Sequence, residues 1–245
     1  MAQARHLRNA PITEALVDFR VSRATSPITE ASLEVLRASL QDSYPITERQ
    51  SMAQFEIKAG TPQPNPEARF RGFMFKSSDR LRIVQFRIDG FTYNRLKPYP
   101  SWEEILPEAI RLWRIYVATA GPEAINRAAV RYINRLQLPA PTTGLSEYLE
   151  APPQTPEGYQ ASLKDFLTRV TLSASHGLSA IVTTASQPSL GSSDVTIILD
   201  IDVFSDAAEL APDDARLQPT LERLRALKNR LFFESLTEVA VRAFE

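Results

Sequence analysis

Between Glu14 and Ser22 the chain alternates, with Ala15, Val17, Phe19 and Val21 apolar and Asp18 and Arg20 among the positions between them. A period of two belongs to a strand with one face buried, so this segment is predicted to be the first strand. After Pro27 the period lengthens. Ile28, Ala31, Val35 and Ala38, with Leu36 and Leu40, form a helical stripe that Pro45 ends. Strands are then expected over residues 50–59, 69–77 and 80–94. The first two are separated by TPQPNPEA, whose prolines cannot donate to a ladder, and the last two by a tight turn at Ser78-Asp79. Ser101 with Glu104 three residues later has the spacing of an N-terminal capping box. The helix it opens carries Ile105, Leu106, Ala109, Leu112, Trp113 and Tyr116 on a broad apolar face, has Pro107 in its second turn, and closes at Gly121-Pro122.

The order then repeats. Residues 125–138 read as a long strand, 144–149 as a short helix, and APPQTPEGY as a proline-rich excursion. Strands are expected over 163–174, 178–186 and 194–204, the last rich in β-branched Val195, Thr196, Ile197 and Ile198. Residues 219–233 form an amphipathic helix, and 235–244 continue or cap it. The predicted class is therefore α+β. Two β-α-β-β-β-α halves, 1–122 and 123–245, form one compact unit whose mainly antiparallel, curved sheet is packed by long helices. That element order is similar to the duplicated TATA-binding-protein-like fold and to helix-grip folds, a likeness of architecture that carries no function.

Composition removes several chemistries. There is no cysteine, which rules out thiolate nucleophiles, disulfides and cysteine-ligated metals, and the two histidines, His6 and His176, cannot build a three-histidine site. Neither phosphate-cradling glycine signature occurs among the eight glycines. No apolar run is long enough to span a bilayer, so no membrane association is expected, and the start of the chain lacks a secretory apolar segment. A cytoplasmic setting follows as the expectation. No cofactor and no metal site is predicted. The net charge of −1 conceals a split. Residues 1–135 hold 20 basic against 14 acidic side chains, and residues 136–245 hold 8 against 15.

Four blocks have a resemblance to carry: Asn9-Ala10-Pro11-Ile12 running into Glu14-Ala15, FTYNRLKPYPSW at 91–102, RYIN at 131–134, and FFESLTEVAVRAF at 232–244. In this order they resemble a sporadically distributed bacterial family of uncharacterised function, in which serine is common where this chain has Asn94. The resemblance implies no activity, substrate or catalytic residue. It does imply a setting among mobile or defence-associated genes.

Three constellations bear on function. Asp200-Ile201-Asp202 puts two carboxylates on one strand face, the start of a magnesium site or simply the solvated side of a half-buried strand. Arg127, Arg131 and Arg135 share a strand face, and Arg71 and Arg82 extend the basic character beside Phe70, Phe73, Phe75, Phe86, Phe91 and Tyr93. Arginines among exposed aromatics would suit single-stranded nucleic acid, whereas buried phenylalanines with solvent-facing arginines would be architecture alone. Tyr132 and Asn134 share the other face of that strand, where a buried amide either clamps the N-terminal segment or lines a ligand pocket. No catalytic residue is assigned. The expectation is a non-catalytic binding protein recognising a protein partner or a small ligand, with self-association through the split charge. Nucleic-acid binding is the alternative, and a pocket between sheet and helix with an enzymatic activity the third.

Overall fold

The computed structural model describes residues 5–22, 29–54, 67–141, 144–154, 163, 165–187, 194–205 and 210–245. Nine strands make one antiparallel open sheet: β1 (Ile12–Val21), β2 (Ile46–Gln54), β3 (Glu67–Lys76), β4 (Arg82–Arg87), β5 (Gly90–Leu96), β6 (Ile125–Leu138), β7 (Leu167–Ser173), β8 (Leu178–Gln187) and β9 (Val195–Ser205). Their order across the sheet is β2-β3-β4-β5-β1-β6-β9-β8-β7. The two segments with the clearest alternation, β1 and β6, pair at its centre, Val17 opposite Val130. The sheet thus runs unbroken across the boundary at residue 122.

Alternation sorts the side chains onto two faces. Val17 and Phe19 of β1, Phe91 and Tyr93 of β5, Val130 and Tyr132 of β6 and Leu199 and Ile201 of β9 are at most 2% exposed. Helices α2 (Trp102–Ala120) and α3 (Leu217–Ser235) cover this face, beside α1 (Leu33–Leu40) and a short α4 (Glu238–Arg242). Trp113 of α2 meets Phe19 edge-on at 4.7 Å and stacks with Tyr116, which in turn stacks on Phe86. Each polar tip in this aromatic cluster finds a carbonyl: Trp113 Nε1 donates to Pro212 and the Tyr116 hydroxyl to Arg87. Burial of such rings contributes roughly 2–3 kcal/mol apiece, so this cluster anchors α2 to the sheet.

Ser101 caps α2 as its spacing predicts, accepting from the Glu104 amide, and Gly121 closes the helix in the left-handed conformation (φ 55°). Pro107 lies inside α2, which continues to Ala120.

One predicted element divides in two. The strand expected over 80–94 is a hairpin, β4 and β5, turning at Ile88-Asp89, which gives the first half four strands after its short helix rather than three. The reason lies at Gly90. It faces Arg20 of β1, and a Cβ there would sit 2.2 Å from the Phe19 carbonyl oxygen. The start of the helix predicted after Pro27, the end of the strand predicted over 50–59, and most of both proline-rich stretches lie outside the described residues.

Candidate functional site

The arginines singled out in the sequence belong to the sheet face opposite α2 and α3. There a row of polar groups crosses five neighbouring strands. Arg87 of β4 and Thr92 of β5 bond to each other and both donate to Asp18 Oδ1 of β1, at 3.0 and 2.6 Å. Arg127 of β6 reaches Asp18 at 3.4 Å and Asp202 of β9 at 2.8 Å, with its guanidinium 4.4 Å from the Phe204 ring. Arg131 makes a two-pronged contact with Asp200. Burial raises the Asp202 carboxyl above the usual carboxylate range despite Arg127 and Arg131. Asp200 and Asp202 are therefore each spent on an arginine, and among the described residues no group of three or more His, Asp or Glu is placed to hold a metal.

The remaining arginines scatter. Arg135 is exposed and donates to Gln187, Arg71 is exposed on β3, and Arg82 lies 5.3 Å from the Tyr44 ring. Phe73, Phe75, Phe86 and Phe91 are at most 1% exposed and Tyr93 is buried beside them, so these rings present no stacking surface. His176 sits exposed in the turn between β7 and β8.

Tyr132 and Asn134 point the other way, into a cavity of about 720 Å³. It lies between the N-terminal segment, the crossover from β5 to α2, and one side of α3. All four sequence blocks contribute lining residues: Pro11 from the first, Tyr99 and Trp102 from the second, Asn134 from the third, and Phe232 from the last.

The N-terminal wall is held in place from both ends of the chain. Asn9 donates its backbone amide to Phe244 and its side chain to the Glu245 carbonyl, and Arg5 pairs with Glu238 and Glu245. Further along, the Arg135 amide donates to Pro11. Asn134 takes no part in this strap. Its Nδ2 donates to the Leu199 carbonyl at 2.9 Å, and its Oδ1 receives no bond from any described residue.

At the centre is Lys228, a residue without a role in the sequence reading. It lies on α3, is 8% exposed, and holds its Nζ 3.7 Å from the centroid of the Tyr132 ring. No carboxylate approaches it among the described residues: Glu103 pairs with Arg225, and Glu222 accepts from Trp102 Nε1 and lies near Arg225 as well. Burial, and after it the Arg225 charge, bring the amine from 10.5 down to about 7. The Tyr99 and Tyr132 hydroxyls bond to each other at 2.9 Å, and burial raises both phenols, so both keep their protons at neutral pH. The cavity thus combines a cation or free amine, two phenolic hydroxyls and an open amide oxygen with the rings of Trp102, Phe232 and Phe233.

A signal for Lys228 does exist in the sequence. Leu221, Leu224, Lys228 and Phe232 follow helical spacing, and a lysine occupies a position the stripe reserves for an apolar side chain. No protein-family model matches the chain, and no curated protein does. No helix among the described residues is long and apolar enough to cross a membrane.

Proposed function

We propose that the protein binds a small organic carboxylate in the cavity between β6, the β5–α2 crossover and α3. The observation that carries this reading is Lys228, a buried cation that opens on a ligand-sized space with no acid of its own. An ammonium in such surroundings costs several kcal/mol unless an anion answers it, and about 720 Å³ lies within the range of small-molecule sites. Arg8, Lys97 and Arg225 add positive potential around the same space, against Glu103. The aromatic rings favour an apolar body behind the carboxylate.

Titration calorimetry tests the reading with phenylacetate and its uncharged counterpart phenylacetamide. Phenylacetate is expected to bind at least tenfold more tightly, and Lys228→Met to abolish that preference. Equal binding of the two, or none by phenylacetate, overturns it.

The reading falls within the small-ligand branch of a binding protein and needs no catalytic residue. The four blocks that carry the family resemblance also wall the cavity, which supports treating them as one functional unit within that bacterial family, in its mobile or defence-associated setting. Strand order supports an internal duplication of the TATA-binding-protein-like or helix-grip kind. The first strand of each half lies at the centre, and the later strands follow outward in reverse order.

A further inference from the structure

We propose that Lys228 captures its ligand covalently, as an imine with an oxo acid. This rests on the carboxylate-binding reading above and narrows it to acids that bear an adjacent ketone or aldehyde. A surface lysine is a solvated ammonium with no lone pair to offer. Lys228 is withdrawn from water, stands beside the Arg225 guanidinium and lacks a counter-ion, the setting that turns a lysine into a nucleophile near neutral pH.

The lone pair of Nζ adds to the carbonyl carbon, forming the C–N bond, while the carbonyl oxygen takes a proton to give a carbinolamine. Loss of the second N–H proton and of the hydroxyl, protonated as it departs, leaves the imine and one water. Amine and carbonyl are the only reactants, and nothing is oxidised or reduced. The surroundings suit both steps. Tyr99 and Tyr132 hold phenolic protons on the wall where Nζ lies, able to reach the oxygen as it becomes a leaving group. The Oδ1 of Asn134 lies open on the same cavity to accept from the carbinolamine.

The charged and titratable groups around Lys228 come from every wall. Arg225 belongs to its own helix, Glu103 to α2, Tyr99 to the crossover and Tyr132 to β6. Arg5, His6 and Arg8 line the N-terminal side, and Lys97 the crossover. Of the acids, Glu103 is committed to Arg225, leaving the amine among neutral and positive neighbours.

The test uses the whole chain with phenylpyruvate, reduction by sodium cyanoborohydride, and peptide mapping by mass spectrometry. The chain has five lysines, so the site of an adduct is readily assigned. One adduct per chain is expected at Lys228, at least tenfold above Lys58, Lys76, Lys97 or Lys164. Its formation should be half-maximal near pH 7, and Lys228→Arg should remove it. Phenyllactate, which keeps the carboxylate but has no carbonyl, is measured alongside by calorimetry. Phenyllactate binding with no adduct, or with adducts spread over the surface lysines, refutes the imine and leaves the carboxylate site standing. If neither compound associates with the protein, both readings fall.

Discussion

Replacing Lys228 with methionine should make the protein more stable, and more so at low pH than at high pH. The folded state holds this amine at about 7, whereas the unfolded chain restores it to 10.5. Between those values the unfolded state binds the extra proton, so the wild-type protein gains stability as pH rises. Below about pH 7 both states are protonated and the cost of burying the ammonium is felt in full. At about 1.4 kcal/mol per pKa unit, that cost is on the order of 4 kcal/mol. Solvent reaching the cavity reduces it, so Lys228→Met is expected to stabilise by about 2–4 kcal/mol at pH 6. By pH 9.5 the gain should shrink to about 1 kcal/mol. Urea unfolding of both proteins at pH 6, 7.5 and 9.5 measures the difference, with the slope in urea confirming that the unfolded states are comparable. Methionine fills much the same volume, so little of the change comes from packing. A destabilised variant at pH 6, or a difference independent of pH, would refute the account, because a lysine paired with a carboxylate gives the opposite sign.

Two further substitutions probe the frame of the site. Gly90→Ala, which drives a methyl group onto the Phe19 carbonyl, should cost about 3 kcal/mol or more in thermal or urea unfolding. A loss below 1 kcal/mol would mean that β1 and β5 can part there at little cost. Asp202→Ala leaves Arg127, 15% exposed, to share Asp18 with Arg87, and should cost about 2 kcal/mol at pH 7 while leaving phenylacetate binding intact. Weakened binding would mean that the two faces of the sheet are coupled.

The fold was legible where burial is one-sided. Alternation in β1, β6 and β9 places Val17, Val130 and Ile201 inside and Asp18, Arg127 and Asp202 outside, and the structure keeps that division. The β4–β5 hairpin escaped because Phe86, Ile88 and Phe91 look like one apolar run, although Asp89-Gly90 is a recognised turn pair. The site was only half legible. Tyr132 and Asn134 could be assigned to one face of a strand, but the space they border exists because residues 5–11 fold back over it from far along the chain. Lys228 stood out as a polar residue in an apolar stripe. A long side chain at such a position commonly reaches to solvent, and the neighbours that prevent this come from β6 and the crossover.

The strap joining Asn9 to Phe244 and Glu245 has a consequence for biosynthesis. Domains form as units while the chain emerges from the ribosome. β1 can pair with β5 after fewer than a hundred residues, but the N-terminal wall of the cavity has no anchor on α4 until the last residues are released. Until then Lys228 borders open solvent rather than a pocket, and its amine is an ordinary one. Ligand capture is thereby postponed to the finished chain, and a ribosome that stalls a few codons early leaves a sheet that is folded and a site that is not.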